Sequence, residues 1–545
     1  MIETLFIVLL FLISLIVTYT MMCTKTTSNN VQLPPSPQSI PLIGHLHLLT
    51  PSLYKSLHTL SSKHGPLLLL RLGPSRRLLV VSSATVAAAV FKTHDLAFSS
   101  RPAFAFADKL PLGTAGFITA PYGPYWRFMK KQCVTELLST RQLDRSKTIR
   151  REEIERSIKR VLGSARENVA LHLSSEFMKL TNNVTCRMAM STSCSENCED
   201  AERIRKLVKE SFELAAKLCF GDVLGPLKDF TFWLYGKKAL DVSTRYDELL
   251  DKVLKEHQHK RLSHNADETQ RDLMDILLDV YHDAHAHFKI TTTHIKAFFL
   301  VTFIFHIYLY FPSHLFSFVE LIVTASMKLK FIIYSCGKDL FIAGTDTSAE
   351  AMQWAMAELL NHPEAFERVR NEIELVTGNV RLVEESDVPN MPYLQAVVKE
   401  TLRLYPPGPV TTRECRQHCK INGFDVPPKT AVAINLYAIM RDPDSWDHPN
   451  EFRPERFLKE QDDDSERMKF NFVPFGGGRR GCPGTTLAFN LMNTAVAAMV
   501  QCFDWRIGED GKGEKVDMQS GSGMSLSMLH PLVCVPVVHF NPYNV

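Results

Sequence analysis

The chain has 545 residues, 45% of them hydrophobic and 22% charged, with a formal net charge of +3 at neutral pH. That length and apolar content allow a large buried core, and a charge so close to balance argues against nucleic acid as a partner. Its 12 cysteines fall without regular spacing, which reads as reduced intracellular thiols rather than a disulfide framework.

Residues 4–23 are apolar and uncharged, close to the ~20 residues a helix needs to cross a bilayer. No basic stretch precedes this run and no small-x-small cleavage site follows it, so residues 1–24 read as a transmembrane anchor rather than a removed signal peptide. Glu3 before the run and Lys25 after it place the remainder on the cytosolic side. Residues 25–50 carry Leu33-Pro34-Pro35-Ser36-Pro37 and Pro41-Leu42-Ile43-Gly44, which resist helix and predict a semi-rigid hinge that spaces a body from the membrane. From residue 51 to 545 no polar linker divides the chain, which predicts one large domain.

Short apolar runs at Leu67–Leu72 and Arg77–Val81, bounded by Gly-Pro pairs, predict a small sheet at the start of that domain. Helical periodicity then dominates: Trp126–Leu138, Arg150–Leu162, Ala201–Leu218, Tyr246–Leu262, Ala349–Leu360, Leu394–Leu404 and Thr485–Met499. Strand-like pieces return at Ala431–Asn435 and Leu532–Val538. The fold class is therefore mainly α with small β-sheets.

Several constellations have both a chemical and an ordinary reading. Trp126 and Lys130, four apart on a predicted helix, share a face, as residues of any amphipathic turn do. Asn183-Val184-Thr185 fits a glycosylation sequon, which a cytosolic domain leaves unused. Cys194/Cys198 and Cys415/Cys419 are spaced as zinc ligands can be, but each lacks a second pair nearby and reads as structural thiols. Ala343-Gly344-Thr345-Asp346-Thr347-Ser348 sets an acid beside hydroxyls at a helix-patterned run, and alone would be a capping cluster. Glu400 and Arg403 stand i, i+3 on a helix, where most such pairs are solvated.

Residues 475–484, Phe-Gly-Gly-Gly-Arg-Arg-Gly-Cys-Pro-Gly, are more specific. Tight glycines let the backbone approach a flat group, the helix predicted from Thr485 brings its positive end to Cys482, and Arg480 adds a fixed charge, so the loop is built to hold a thiolate. Gly476, Gly478 and Gly481 also spell G-x-G-x-x-G, with Asp504 near the offset of a dinucleotide site. That alternative fails because too little chain follows Asp504 for further βαβ units. A structural glycine loop with a buried free cysteine is the plainer alternative. The full spacing F-x-x-G-x-R-x-C-x-G resembles the haem-ligating loop of the cytochrome P-450 family.

The resemblance extends to A/G-G-x-D/E-T-T/S at Ala343, E-x-x-R at Glu400, P-E-R-F at Pro454, W-x-x-x-K/R at Trp126 and P-x-x-P-x-x-x-R ending at Arg413. It implies haem b with Cys482 as axial thiolate and metal ligand, flanked by Phe475 and Gly484. Trp126, Lys130, Arg413 and Arg480 would meet the haem carboxylates, since a buried dianion needs cationic partners. Thr347 and Asp346 would manage protons during oxygen activation, with Gly344 leaving room for the oxygen. Glu400, Arg403 and Arg456 would form a buried structural triad. The likeness is nearest to plant microsomal members that oxidise flavonoids, isoflavonoids and triterpenoids, which implies a single-pass endoplasmic reticulum protein taking O2, a small apolar or phenolic substrate, and electrons from an NADPH-dependent cytochrome P-450 reductase. The pocket would be lined by parts of Ser100–Phe117, Leu340–Thr347, Val410–Thr412 and Met524–Met528. An isomerase or dehydratase of the same family that needs no O2 is the alternative chemistry, disfavoured by Thr347.

Residues 301–338 depart from the family, in which a sequence like Lys296–Leu300 runs straight into one like Asp339–Ala343. The segment is rich in Phe, Ile, Tyr and Leu but holds Pro312, Glu320, Lys328 and Lys330, so a second membrane span is not expected. Val301 requires a codon beginning GT and Lys338 can use one ending AG, which suggests a translated, unspliced intron and a catalytically impaired isoform. A tolerated loop insertion is the alternative.

Overall fold

The computed structural model describes residues 32–40, 43–49, 52–73, 76–102, 120–191, 229–263, 272–283, 288–300, 340–458, 470–521 and 525–543, with the single residues 14, 109, 214 and 285. All but Ser14 of the anchor run, residues 301–338, the Cys194/Cys198 pair and all but Leu214 of the predicted helix Ala201–Leu218 lie outside the described residues. Among the described residues no helix is long and apolar enough to cross a membrane.

The helices used below are α1 Leu53–His64, α2 Pro124–Gln132, α3 Lys147–Glu167, α4 Leu173–Met190, α5 Phe230–Ser263, α6 Leu273–His282, α7 Thr292–Leu300, α8 Leu340–Asn361, α9 Pro363–Thr377, α10 Pro392–Leu404 and α11 Thr485–Cys502. Local chemistry sets several ends. Pro124, Pro363 and Pro392 open their helices where a missing N–H costs nothing, Asp272 and Asp275 form a reciprocal capping box ahead of α6, and Gly378 closes α9 in a left-handed turn.

Four strands make the main sheet in the order β1 Leu67–Leu72, β2 Arg76–Val81, β7 Ala431–Asn435 and β4 Val410–Glu414. Only the β2/β7 pair is parallel, so the sheet joins the two ends of the domain. A second sheet holds β3 Leu171–His172, β9 Val533–Val538 and β8 Phe503–Ile507, and β5 Cys419–Ile421 pairs with β6 Phe424–Val426. The largest apolar core lies among the helices, with α8 at its centre packed on α4, α10 and α11.

The described part of the proline-rich stretch is stitched to the sheet. Leu69 N–H donates to Pro35 O at 2.8 Å. The buried His45 ring bridges Pro37 O at 2.8 Å and Arg71 N–H at 2.7 Å. Gly44 makes the approach feasible: φ is +61°, and a Cβ there would fall 2.3 Å from Arg71 O. Asn183 of the sequon is buried in α4 with its amide on Glu153 at 3.0 Å, which closes it to glycosylation.

Candidate active site

The glycine loop departs from helix and strand alike. Gly476 and Gly478 have φ of +68° and +65°, a 3-10 turn covers Gly478–Arg480, and Cys482 N–H returns to Phe475 O at 3.0 Å. The turn lies hard against the segment after Ala84–Ala88. A Cβ on Gly477 would stand 2.8 Å from the Phe91 ring, and one on Gly478 2.5 Å from Asp95 Oδ1. Asp95 accepts from Arg479 N–H at 2.9 Å and pairs with the Arg479 guanidinium at 3.0 Å, so a carboxylate from a distant segment pins the loop. Phe470–Phe475 forms no strand and Asp504 is bound to Arg370 at 2.6 Å, which removes the dinucleotide reading.

Cys482 is exposed at its surface although protein packs densely about it. Burial pushes the thiol above its ordinary range; a Gly484 N–H, the Lys130 charge and the Thr485 hydroxyl act in the other direction and do not prevail. A thiol so placed is a poor free nucleophile, and a bound metal cation is what would make it a thiolate.

About this loop the fold gathers the three cations expected from the sequence. Lys130 donates to Arg479 O and Gly481 O, both at 3.0 Å. Arg480 donates to Ser99 O at 2.7 Å and Ala120 O at 2.6 Å, with its guanidinium 4.3 Å from the Trp126 ring centre. Arg413 donates to Thr411 Oγ1, Thr412 O and Gly477 O at 2.9, 2.8 and 3.3 Å. Burial lowers the Lys130 pKa, and Arg480 and Arg413 push the same way against the raising influence of Cys133 and Cys482. Crowded positive charge of this kind suits a buried dianion. Arg101 belongs to the same shell, donating to Thr412 O at 2.8 Å and to its hydroxyl at 3.1 Å. No spacing in the sequence marked Arg101, Phe91 or Asp95, since tertiary contact alone brings them here.

On α8, Asp346 and Thr345 are buried and Thr347 is half-buried, and the helix packs on α11, whose N-terminus follows Cys482. A Cβ on Gly344 would meet Thr185 Oγ1 of α4 at 3.2 Å, so this glycine lets the two helices pack closely.

Glu400 and Arg403 are fully buried, not solvated. Glu400 receives both Arg403 nitrogens at 2.7 and 2.8 Å, Arg456 Nε at 3.0 Å and the Arg453 N–H at 2.9 Å. Arg403 also donates to Met440 O, Pro449 O and Glu451 O, fastening α10 to the segment before the glycine loop. The Cys415 and Cys419 sulfurs lie 3.9 Å apart, and among the described residues no group of three metal-ligating side chains forms.

A sequence profile described as cytochrome P-450 matches residues 34–304 and 332–535. The chain belongs to the cytochrome P-450 family. It is 44% identical to cytochrome P-450 705A5 of Arabidopsis thaliana, covering 94% of this chain and 93% of that one. It is 39% identical to the 3,9-dihydroxypterocarpan 6A-monooxygenase of Glycine max over 98% of this chain and 99% of that one. A zebra fish cytochrome P-450 solved with abiraterone superposes with a TM-score of 0.67 at 25% identity, covering 90% of this chain and 99% of that one. The protein is thus a cytochrome P-450 monooxygenase that uses haem iron with a cysteine thiolate. The residues present fit haem: an exposed cysteine, a tight turn in which Gly477 and Gly478 admit no Cβ, and three cations about the loop. The family match breaks between residues 304 and 332, inside the segment singled out from the sequence.

Proposed function

We propose that Cys482 is the thiolate ligand of the haem iron, that Lys130, Arg413 and Arg480 with Trp126 hold the haem carboxylates, and that Phe475 and Gly484 shape the loop beneath the ring. The convergence of those three cations on the loop that presents Cys482 carries this reading. When bound, haem supplies the redox centre at which O2 is reduced and one oxygen atom is passed to substrate. The chain's own residues do the rest. Gly484 N–H and the Thr485 hydroxyl support negative charge on sulfur, and their number tunes how strongly it donates. Thr347 and Asp346, on a helix sealed in an apolar core, hold and relay protons toward the pocket.

The substrate is a plant secondary metabolite of flavonoid, isoflavonoid or terpenoid type, hydroxylated or desaturated with electrons from an NADPH-dependent reductase. The likeness to a pterocarpan monooxygenase supports that class. Residues 1–24 anchor the protein once in the endoplasmic reticulum membrane with the catalytic domain in the cytosol. The test is a carbon monoxide difference spectrum of the reduced protein, then turnover of a flavonoid and triterpenoid panel with reductase, NADPH and O2. Cys482→Ser should abolish the thiolate band; an unaltered band would overturn the ligand assignment, and turnover without NADPH would favour an isomerase or dehydratase.

Residues 301–338 are a retained intron that impairs this isoform. The break in the family match supports this, and α7 touches α8, as two halves of one interrupted helix would. Misplacing catalytic groups by ~1 Å can cost on the order of 100-fold in rate. Removing residues 301–338 should therefore raise both the carbon monoxide band and turnover, equal activity would refute impairment, and a continuous coding locus without splice-competent ends would refute the intron.

A further inference from the structure

Thr347, Glu350, Trp354 and Asn361 follow one another at i, i+3, i+7 and i+14, which puts them in one stripe along α8. Three of them bind the same C-terminal segment. Asn361 exchanges two hydrogen bonds with the Val516 backbone, accepting at 2.8 Å and donating at 3.1 Å. Trp354 Nε1 donates to Leu526 O at 2.7 Å. Glu350 Oε1 accepts from Ser525 Oγ at 2.9 Å. The segment runs antiparallel to the helix and folds back on itself. Ser520 pairs with Met528, Gly521 N–H donates to Ser527 O at 2.9 Å, and Leu529 N–H donates to Gln519 O at 2.8 Å. Its Ser525 end is fixed one helical turn from Thr347, about 4.5 Å along the axis.

Trp354 is itself held rigidly. It is fully buried, and its indole lies parallel to the Tyr405 ring at 4.0 Å between centres and 3° between planes. Tyr405 follows α10 directly, and its hydroxyl donates to Glu358 Oε1 at 2.6 Å. Leu526 N–H meanwhile reaches Pro407 O at 3.2 Å. One indole therefore ties three things together: the helix with Thr347, the end of the helix with Glu400, and the hairpin. A phenyl ring could fill the stack but could not donate to Leu526 O. Packing alone does not explain the choice of tryptophan.

We infer that Trp354 and Glu350 are positioning residues that fix the height of residues 525–528 over Thr347 and thereby set how much room a substrate has. The inference rests on the reading that this segment lines the substrate pocket.

The test compares full-length wild type with Trp354→Phe, Ser525→Ala and Glu350→Gln. Hydrogen exchange of residues 525–529 reads the hairpin whether or not haem is loaded. Spectral titration with 4-phenylimidazole and with imidazole reads the pocket, counting only the loaded fraction, because the phenyl group extends toward the hairpin and imidazole alone does not. Trp354→Phe should speed exchange of residues 525–529 while leaving α10 unchanged. It should also weaken 4-phenylimidazole relative to imidazole by about tenfold, the value of one hydrogen bond. Ser525→Ala should act in the same direction, and Glu350→Gln, which keeps an acceptor, should match wild type. Unchanged exchange, or faster exchange throughout with an unchanged affinity ratio, would overturn the inference. Failure of wild type to load haem would count against the haem-site reading alone, and exchange would still decide this one.

Discussion

Two groups of basic side chains are held by different kinds of acceptor. Arg403 and Arg456 share Glu400, a carboxylate buried with them, and their remaining N–H groups go to backbone carbonyls. Arg413, Arg480 and Lys130 donate to backbone carbonyls, which fix their direction. The first arrangement carries its own anion and makes structure. The second, on the reading proposed above, meets the haem carboxylates.

Removing the anion from the first group should have the largest effect. Glu400→Ala leaves Arg403, with no exposed surface, buried without its carboxylate, at a cost of about 3–5 kcal/mol. Chemical denaturation should show that loss with or without haem, and a variant as stable as wild type would erase the distinction between the groups. The second group should respond the opposite way. Arg413→Ala or Lys130→Ala should scarcely move unfolding of the haem-free protein, yet lower haem affinity by about 10–100-fold, as loss of supporting contacts does elsewhere. Transfer of haem to apomyoglobin measures this. A large loss of haem-free stability with unchanged haem retention would place these residues with Glu400 instead.

The contrast also shows what a sequence can reveal. Glu400, Arg403 and Arg456 and the cations around Cys482 sit at fixed spacings on regular elements, so motif and periodicity locate them. The strands Leu67–Leu72 and Ala431–Asn435 are found at the bounds expected, because apolar runs between turn residues mark both ends. Asp95 gave no such signal: it reaches Arg479 only because the chain folds back over hundreds of residues. Gly344 shows another limit. Its motif says nothing of Thr185, which the packing of α8 on α4 brings within 3.2 Å of where a Cβ would stand. The prolines before residue 50 likewise declare stiffness, but not that Pro35 is bonded to the sheet and Pro37 linked to it through the His45 ring.

Asp95 and Arg479 form a third kind of pair, partly open to solvent, with side-chain exposures of 24% and 46%. Screening limits its ion-pair contribution to below about 1 kcal/mol. Asp95→Asn keeps an acceptor for the Arg479 N–H, so it should cost little stability and loosen the loop only slightly. Haem retention close to wild type is expected. A loss as large as that of Arg413→Ala would mean that the loop's position, rather than charge about the cofactor, distinguishes the two groups.

The smallest effect tests what happens when the cation can titrate. Glu358, buried near the C-terminal end of α8, faces His362 Nδ1 at 3.2 Å and the Tyr405 hydroxyl, where Glu400 faces two permanent charges. The hydrogen bond to Glu358 raises the His362 pKa above its ordinary 6.5, outweighing partial burial. The protonated form is therefore favoured by folding, so its stabilisation is fully present below pH 6.5 and is lost as pH rises through the higher folded-state pKa. His362 is 47% exposed, so the effect belongs with weak surface pairs. Wild type should exceed His362→Gln in stability at acidic pH, and the gap should close above that window, whereas the cost of Glu400→Ala should stay constant across it. A gap that widens with pH would reverse the sign and show that Glu358 is better served by a neutral partner.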